Sequence, residues 1–341
     1  MFKVFLPNDK KIFREIIFLS YPVVLSNVSR VLMSIFDVAM VGRLGPEALA
    51  ATGMGGMLVW APMSIALGIR TAVQTVSSRR LGQKKERESG IAFHNGLIMA
   101  TVFSVPITII GWKWAEEIVP FFLSDPLAIE LAIEYTTVVF ISLLFSVYSF
   151  VFVGFYTGVE KTKLHMTVTV VSNLINLYLN AALIYGSEGI EVFFKEALPS
   201  FSFLSVLWSW TTFPAMGVKG AATATLIASA WMVFHYFLYL FSGDVKKRFK
   251  IFSFSYDRAM MQRQLTLAVP MGVQECIIAF GWTCFLKVVG IIGIVELATT
   301  HIIFTIMHAS FMPAMGVGMA CSTLVSKYMG EKKNQKICFK Y

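Results

Sequence analysis

Charged side chains are scarce in this sequence: they make up 14% of its 341 residues, against a hydrophobic share of 56%. A soluble domain of this size covers its core with charge on roughly a quarter of its residues, so a soluble globular protein is excluded. Cysteine is scarcer still. The four present (Cys276, Cys284, Cys321 and Cys338) sit late in the chain without metal-ligand spacing, which argues against a disulfide framework and a zinc site. There is no Gly-Lys-Ser/Thr, no HExxH, no nucleophile motif and no paired catalytic carboxylates. The glycines of 53–56 and 316–318 follow no strand, so they read as close helix contacts and form no phosphate loop. The expectation is a non-enzyme with no resident cofactor.

What is plentiful is apolar sequence in stretches long enough to cross a bilayer, which takes about 20 helical residues. Mean hydropathy is +0.69. Eight spans are expected, over 13–41, 48–78, 91–112, 128–157, 164–186, 215–242, 262–291 and 296–327. The first is too long, and lacks the small-residue cleavage site, for a signal peptide. Between spans five and six, 187–214 carries the apolar run Leu198–Phe213 with Trp208 and Trp210, and reads as an interfacial or re-entrant piece.

The net charge of +9 is distributed by connection. Of 29 Lys and Arg, 22 fall in the N-terminal segment and after spans two, four, six and eight. Four (Arg43, Lys113, Lys195, Lys219) fall on the other side, and Arg30, Arg70 and Lys287 lie within spans. The positive-inside rule then places both termini in the cytoplasm. The charge is an orientation signal and a lipid contact, with no nucleic acid as partner.

Shifted by 248 residues, the chain meets itself without a gap. Pro22 falls on Pro270, Gly42 and Gly45 on Gly290 and Gly293, Gly68 on Gly316, Thr75 on Thr323, and Gly82 on Gly330. About a quarter of the positions from Leu19 to Lys85 are identical. The repeats are six spans apart and therefore parallel, an architecture that holds substrate between two halves. The expected fold is an all-α membrane protein with parallel six-helix repeats: a complete first lobe over 1–250, and over 251–341 the first two helices of a second. A complete second lobe would need four more spans, roughly a hundred or more further residues at about 20 per span plus connections, so the chain reads as C-terminally truncated.

Several motifs are similar to those of the MATE (multidrug and toxic compound extrusion) transporters. They are Pro22 and Asp37-x-x-Met-Val-Gly-Arg-Leu-Gly45 in span one, Leu81-Gly82, Asn173-x-x-Asn176-x-x-x-Asn180 with Ile184 and Gly186 in span five, and Gly217-Val-x-Gly220-Ala-Ala-x-Ala-Thr225 opening span six. The resemblance covers about 13–335 apart from 187–214. It implies a V-shaped pair of six-helix lobes in the cytoplasmic membrane, a multi-pass protein exporting organic cations, drugs or other amphipathic compounds in exchange for Na⁺ or H⁺. No obligate protein partner is expected. A flippase for a lipid-linked precursor and a non-functional fragment stay open as alternatives.

The resemblance makes Asp37 the coupling carboxylate, with Asn176, Asn180 and Thr225 as partners. A carboxylate in a span costs at least about 2.5 kcal/mol unless paired, hydrated or protonated. Ionised, it can hold Na⁺ with amide and hydroxyl oxygens; protonated, it loses its charge and repacks. Asn176 and Asn180 lie at i and i+4 on one helical face; interhelical hydrogen bonding is their other reading. Some relatives carry a carboxylate where Asn180 stands. Pro22 frees a carbonyl and permits a bend. Arg30, seven residues before Asp37, is either an internal counter-charge to Asp37 or Glu275 or is solvated by a cavity; Arg70 has the same ambiguity. Gln274 and Glu275 are candidates for the substrate path. His301 and His308 share a face and read as packing or cavity lining.

Overall fold

The computed structural model describes residues 10–123, 125–197, 205–292 and 294–331. Ten α-helices follow one another: α1 (Lys10–Gly42), α2 (Pro46–Gly82), α3 (Glu86–Lys113), α4 (Ala115–Ile118), α5 (Pro126–Gly158), α6 (Thr162–Ala197), α7 (Gly217–Leu240), α8 (Gly243–Phe249), α9 (Arg258–Ile292) and α10 (Ile294–Gly330). The eight long ones coincide with the eight expected spans. Seven of them carry an apolar stretch of membrane length among the described residues; α10 is the eighth. The side chains of Lys287, His301 and His308, and all of Cys338, lie outside the described residues. Cys276, Cys284 and Cys321 are free thiols.

Helices α1–α3 and α5–α7 pack as one bundle. α5 occupies its centre, touching α2, α3 and α7, while α6 joins α1 to α7. The centrality of α5 follows from its composition: it has the highest mean hydropathy of the spans, 2.4. Its last turns, Phe150–Phe155 with Tyr156, are buried. α9 and α10 then pack on α2 and α1.

That packing displays the sequence repeat as symmetry. A Cβ on Gly82 would lie 2.0 Å from the Lys327 carbonyl oxygen, and one on Gly330 would lie 2.2 Å from that of Arg79. Both partners, like both glycines, are 248 apart. Likewise Gly68 abuts Gly272 and Gly316 abuts Val24. Of the other glycines expected in close contacts, Gly55 faces Tyr135, whereas Gly53, Gly56 and Gly318 have nothing within 4 Å. In lipid, small residues let backbones approach, and dispersion with polar bonds then holds them.

Polar bonds do run along the α2–α10 seam. Gln74 Nε2 donates to the Met319 carbonyl at 3.0 Å and to Thr323 Oγ1 at 2.9 Å. Ser78 Oγ donates to the Thr323 carbonyl at 2.5 Å. Hydrogen bonds between membrane helices average only about 0.6 kcal/mol. Gln74→Leu is therefore expected to cost about 1 kcal/mol, measured as a modest fall in the unfolding midpoint in mild detergent.

The seam closes the end of the molecule where α1 begins, the basic end. Ion pairs cluster there: Lys327–Glu160 at 2.6 Å, Arg248–Glu86 at 2.6 Å, Arg80–Glu88 at 3.1 Å and Lys161–Asp244 at 2.5 Å. Lys161 holds the Asp244 carboxyl below the usual carboxylate range. Towards the opposite end α2 and α9 part around a cavity of about 510 Å³, lined by Met57, Trp60, Cys276 and Phe280 among others.

Two connections are structured. Gly186 has φ +69°, a conformation favouring glycine, and beyond it the chain turns into a second helical stretch reaching Ala197. Part of the expected external insertion is thus helical. Its returning segment docks on α6: Trp208 Nε1 donates to the Tyr178 carbonyl at 2.9 Å and its ring stacks on Tyr178 at 4.9 Å. The connection from α7 to α9 is pinned to α3. Asn95 Nδ2 donates to the Asp257 carbonyl at 2.9 Å, His94 Nε2 meets the Ile251 carbonyl at 2.5 Å, and Gly90 leaves room for the Phe249 carbonyl.

Candidate functional site

Asp37 points from α1 at α6. Asn180 Nδ2 donates to Asp37 Oδ1, and the same amide nitrogen donates to Asn176 Oδ1 at 3.2 Å. About two turns before Asn180, Asn173 Nδ2 donates to Ser29 Oγ of α1 at 2.8 Å. The asparagine face of α6 is therefore turned to α1, as the spacing requires. Asn176 and Asn180 are buried and Asp37 half-buried. The Asn180 side-chain oxygen is buried with no hydrogen-bond partner. An orphaned acceptor beside a carboxylate and a second amide oxygen makes an oxygen set suited to a hard monovalent cation or a proton.

Thr225 is bonded within its own helix. Its hydroxyl donates at 3.0 Å to the Ala221 carbonyl, four residues back in its own helix. That leaves only lone pairs to offer the cluster. Such back-bonding is usual for a threonine inside an apolar helix, where no water competes. Tyr135 of α5 was not signalled by any motif. It lies within electrostatic range of Asp37, and its ring fills the space left by Gly55 of α2. The polar interruption Glu134–Thr137 within an apolar span was the sequence signal available for it.

Pro22 sits in an α1 that stays helical from end to end. Ser20 and Ser26 flank it, with hydroxyls donating to the Ile16 and Pro22 carbonyls at 2.6 and 2.8 Å. Both are back-bonds of a helical serine to the carbonyl four residues before it. Nη2 of Arg70 donates to the Met319 sulfur of α10. Glu275 of α9 is half-buried, whereas the neighbouring Gln274 is exposed.

A polytopic α-helical bundle, parallel-repeated, with a carboxylate and asparagines inside its first six long helices defines the class as a repeat-built integral membrane protein. The MatE family model matches residues 22–182 and 270–341. The chain belongs to the MatE family. Its two matched segments open on Pro22 and Pro270, the prolines related by the repeat. The chain is similar to a probable multidrug resistance protein NorM of Mesorhizobium japonicum, 25% identical over 92% of this chain and 62% of that relative. A probable NorM of Thermotoga maritima is 24% identical over 98% of this chain and 68% of the relative. Among solved structures, an outward-facing multidrug resistance MATE family transporter of the MOP superfamily matches with a TM-score of 0.81 at 22% identity, covering 96% of this chain and 67% of that one. The chain thus spans about two thirds of the length of these relatives.

Proposed function

We propose that this chain carries the ion-coupling half of a secondary transporter that exports amphipathic organic compounds in exchange for Na⁺ or H⁺. The observation that carries this reading is the Asp37–Asn180–Asn176 cluster inside the bundle. The names of the relatives support multidrug efflux as the activity of the whole protein. Residues 1–250 form the lobe holding the coupling site and 251–341 open the second lobe. The basic end lies in the cytoplasm and the parted end faces outward, across the cytoplasmic membrane. No enzyme activity and no resident cofactor belong to this reading; the ion is cargo, and lipid surrounds the protein.

The chemistry of this chain's residues is a competition for one carboxylate. Ionised Asp37 draws a cation towards the oxygens of Asn176 and Asn180. Proton or cation occupancy removes the charge that would otherwise remain in a low-dielectric bundle, and α1 repacks around Pro22. In proteoliposomes an imposed Na⁺ or H⁺ gradient is expected to drive a fluorescent amphiphile against its own gradient. Movement that ignores both gradients, or none at all, rejects the reading.

A further inference from the structure

We propose that Arg79, Arg80 and Arg263 hold the phosphate of an anionic phospholipid in a pocket between α2 and α9 at the basic end. This goes beyond the transport reading and does not depend on it.

The two helices leave a cavity of about 590 Å³ there. Arg79, Arg80 and Gln83 line it from α2, and Gln262, Arg263 and Leu267 from α9. Arg79 and Arg263 are exposed, so a ligand can reach them. Neither takes part in an ion pair among the described residues. Arg80 meets Glu88 at 3.1 Å, but Glu88 also serves Lys85 at 2.8 Å. Gln83 Oε1 accepts from Arg80 Nη1 at 2.8 Å and holds that guanidinium at the cavity. Positive charge is therefore in surplus.

The internal repeat shows that this surplus is particular to the place. A shift of 248 residues carries the pocket onto the α1–α10 junction. There Lys327 stands for Arg79, Tyr328 for Arg80, Glu331 for Gln83 and Glu15 for Arg263. That junction is neutralised by the protein itself: Tyr328 Oη donates to Glu15 at 2.6 Å, and Lys327 meets Glu160 at 2.6 Å. In the pocket an arginine replaces Glu15 and a glutamine replaces Glu331. Where one junction joins tyrosine to glutamate, the other sets two arginines on facing helices. Like charges repel across such a gap, and an anion between them turns the repulsion into attraction.

Phosphate suits the donors. A guanidinium fork matches its oxygens and gives up water readily. The surroundings make a lipid the source. Thr266 of the pocket is followed on one face of α9 by Val269 and Val273, both exposed, where an acyl chain can lie. Basic pockets between spans are a known setting for anionic headgroups. The Arg79 carbonyl is the atom that a Cβ on Gly330 would strike, so the headgroup would tie α9 to the α2–α10 seam.

The test is native mass spectrometry of the purified chain, titrated with phosphatidylglycerol and with phosphatidylcholine of the same acyl chains. Phosphatidylcholine carries the same phosphate with a cation beside it, which the arginines oppose. The first phosphatidylglycerol is expected to bind about tenfold more tightly, the worth of one charge-assisted hydrogen bond. Arg79→Gln and Arg263→Gln should each remove most of that preference, and lysine at either position should keep part of it. Unfolding midpoints like the parent's show that the variants are folded. Lys247→Gln is the control, since it deletes an exposed charge of the same end that does not line the pocket. An equal loss at Lys247→Gln, or a parent that takes both lipids alike, overturns the proposal. Inorganic phosphate as competitor decides the source: displacement of the lipid overturns the lipid assignment in favour of a free anion, and undiminished binding upholds it. No ion gradient enters the titration, so a failure of ion coupling leaves its result standing.

Discussion

Replacing Asp37 with asparagine is expected to abolish gradient-driven movement while leaving the protein folded. Asparagine has the shape of the protonated acid, and its amide oxygen can still accept from Asn180 Nδ2, the donor that meets Asp37. What it cannot do is carry charge. A hydrogen bond to a charged group is worth about 1.5 to 3 kcal/mol, so cation affinity should fall by roughly 10- to 100-fold on that account alone. Loss of the exchangeable proton removes H⁺ coupling entirely. Asn180→Asp gives the opposite perturbation. Two carboxylates in one site cannot both ionise easily, so one keeps its proton, and transport should gain a dependence on external pH. The paired measurement is initial uptake rate in proteoliposomes under Na⁺ and H⁺ gradients, beside the circular dichroism of each variant. An Asp37→Asn protein that still couples at the parent's rate would remove this carboxylate from the mechanism.

The spans were legible because lipid imposes a length and an apolar composition on each, and because the basic residues sort by side. The bundle followed from the spans, and the parallel repeat from the self-match at an offset of 248 residues. Which face each helix turns inward was much less legible. Lipid tails are as apolar as leucine, so both faces of a span look alike, and only polar residues betray the interior. That is why the spacing of Asn176 and Asn180 gave them one shared face, with the resemblance alone joining that face to Asp37, while Tyr135 of α5 carried no motif. Thr225 was assigned to the cluster by its place in a motif, but an apolar helix leaves a hydroxyl its own backbone as the nearest acceptor. The docking of the α7–α9 connection on α3 rests on tertiary bonds from His94 and Asn95 to backbone carbonyls about 160 residues away, which no local pattern reveals.

The second large effect is expected at the symmetric glycine pair. A Cβ on Gly82 or Gly330 would fall 2.0 or 2.2 Å from a backbone carbonyl oxygen of the facing helix, and a helix backbone has no rotamer by which to yield. The helices must part instead. Overpacking typically costs about 1 to 3 kcal/mol, and alanine at either position should fall at the upper end of that range. Leucine at Gly330 should separate α2 from α10 altogether and open the basic end, where Lys327 meets Glu160. The two alanine substitutions should not add. Once one has pushed the helices apart, the other finds the space already made, so the double variant should be more stable than the sum by at least about 0.5 kcal/mol. Gly318→Ala is the control: its Cβ meets nothing within 4 Å, and alanine improves helix propensity by nearly 1 kcal/mol, so stability should hold or rise. Unfolding midpoints in detergent test the series. Additive losses at Gly82 and Gly330 would mean that the two positions act on separate contacts, and that the pseudo-two-fold seam is not the unit that closes this end of the protein.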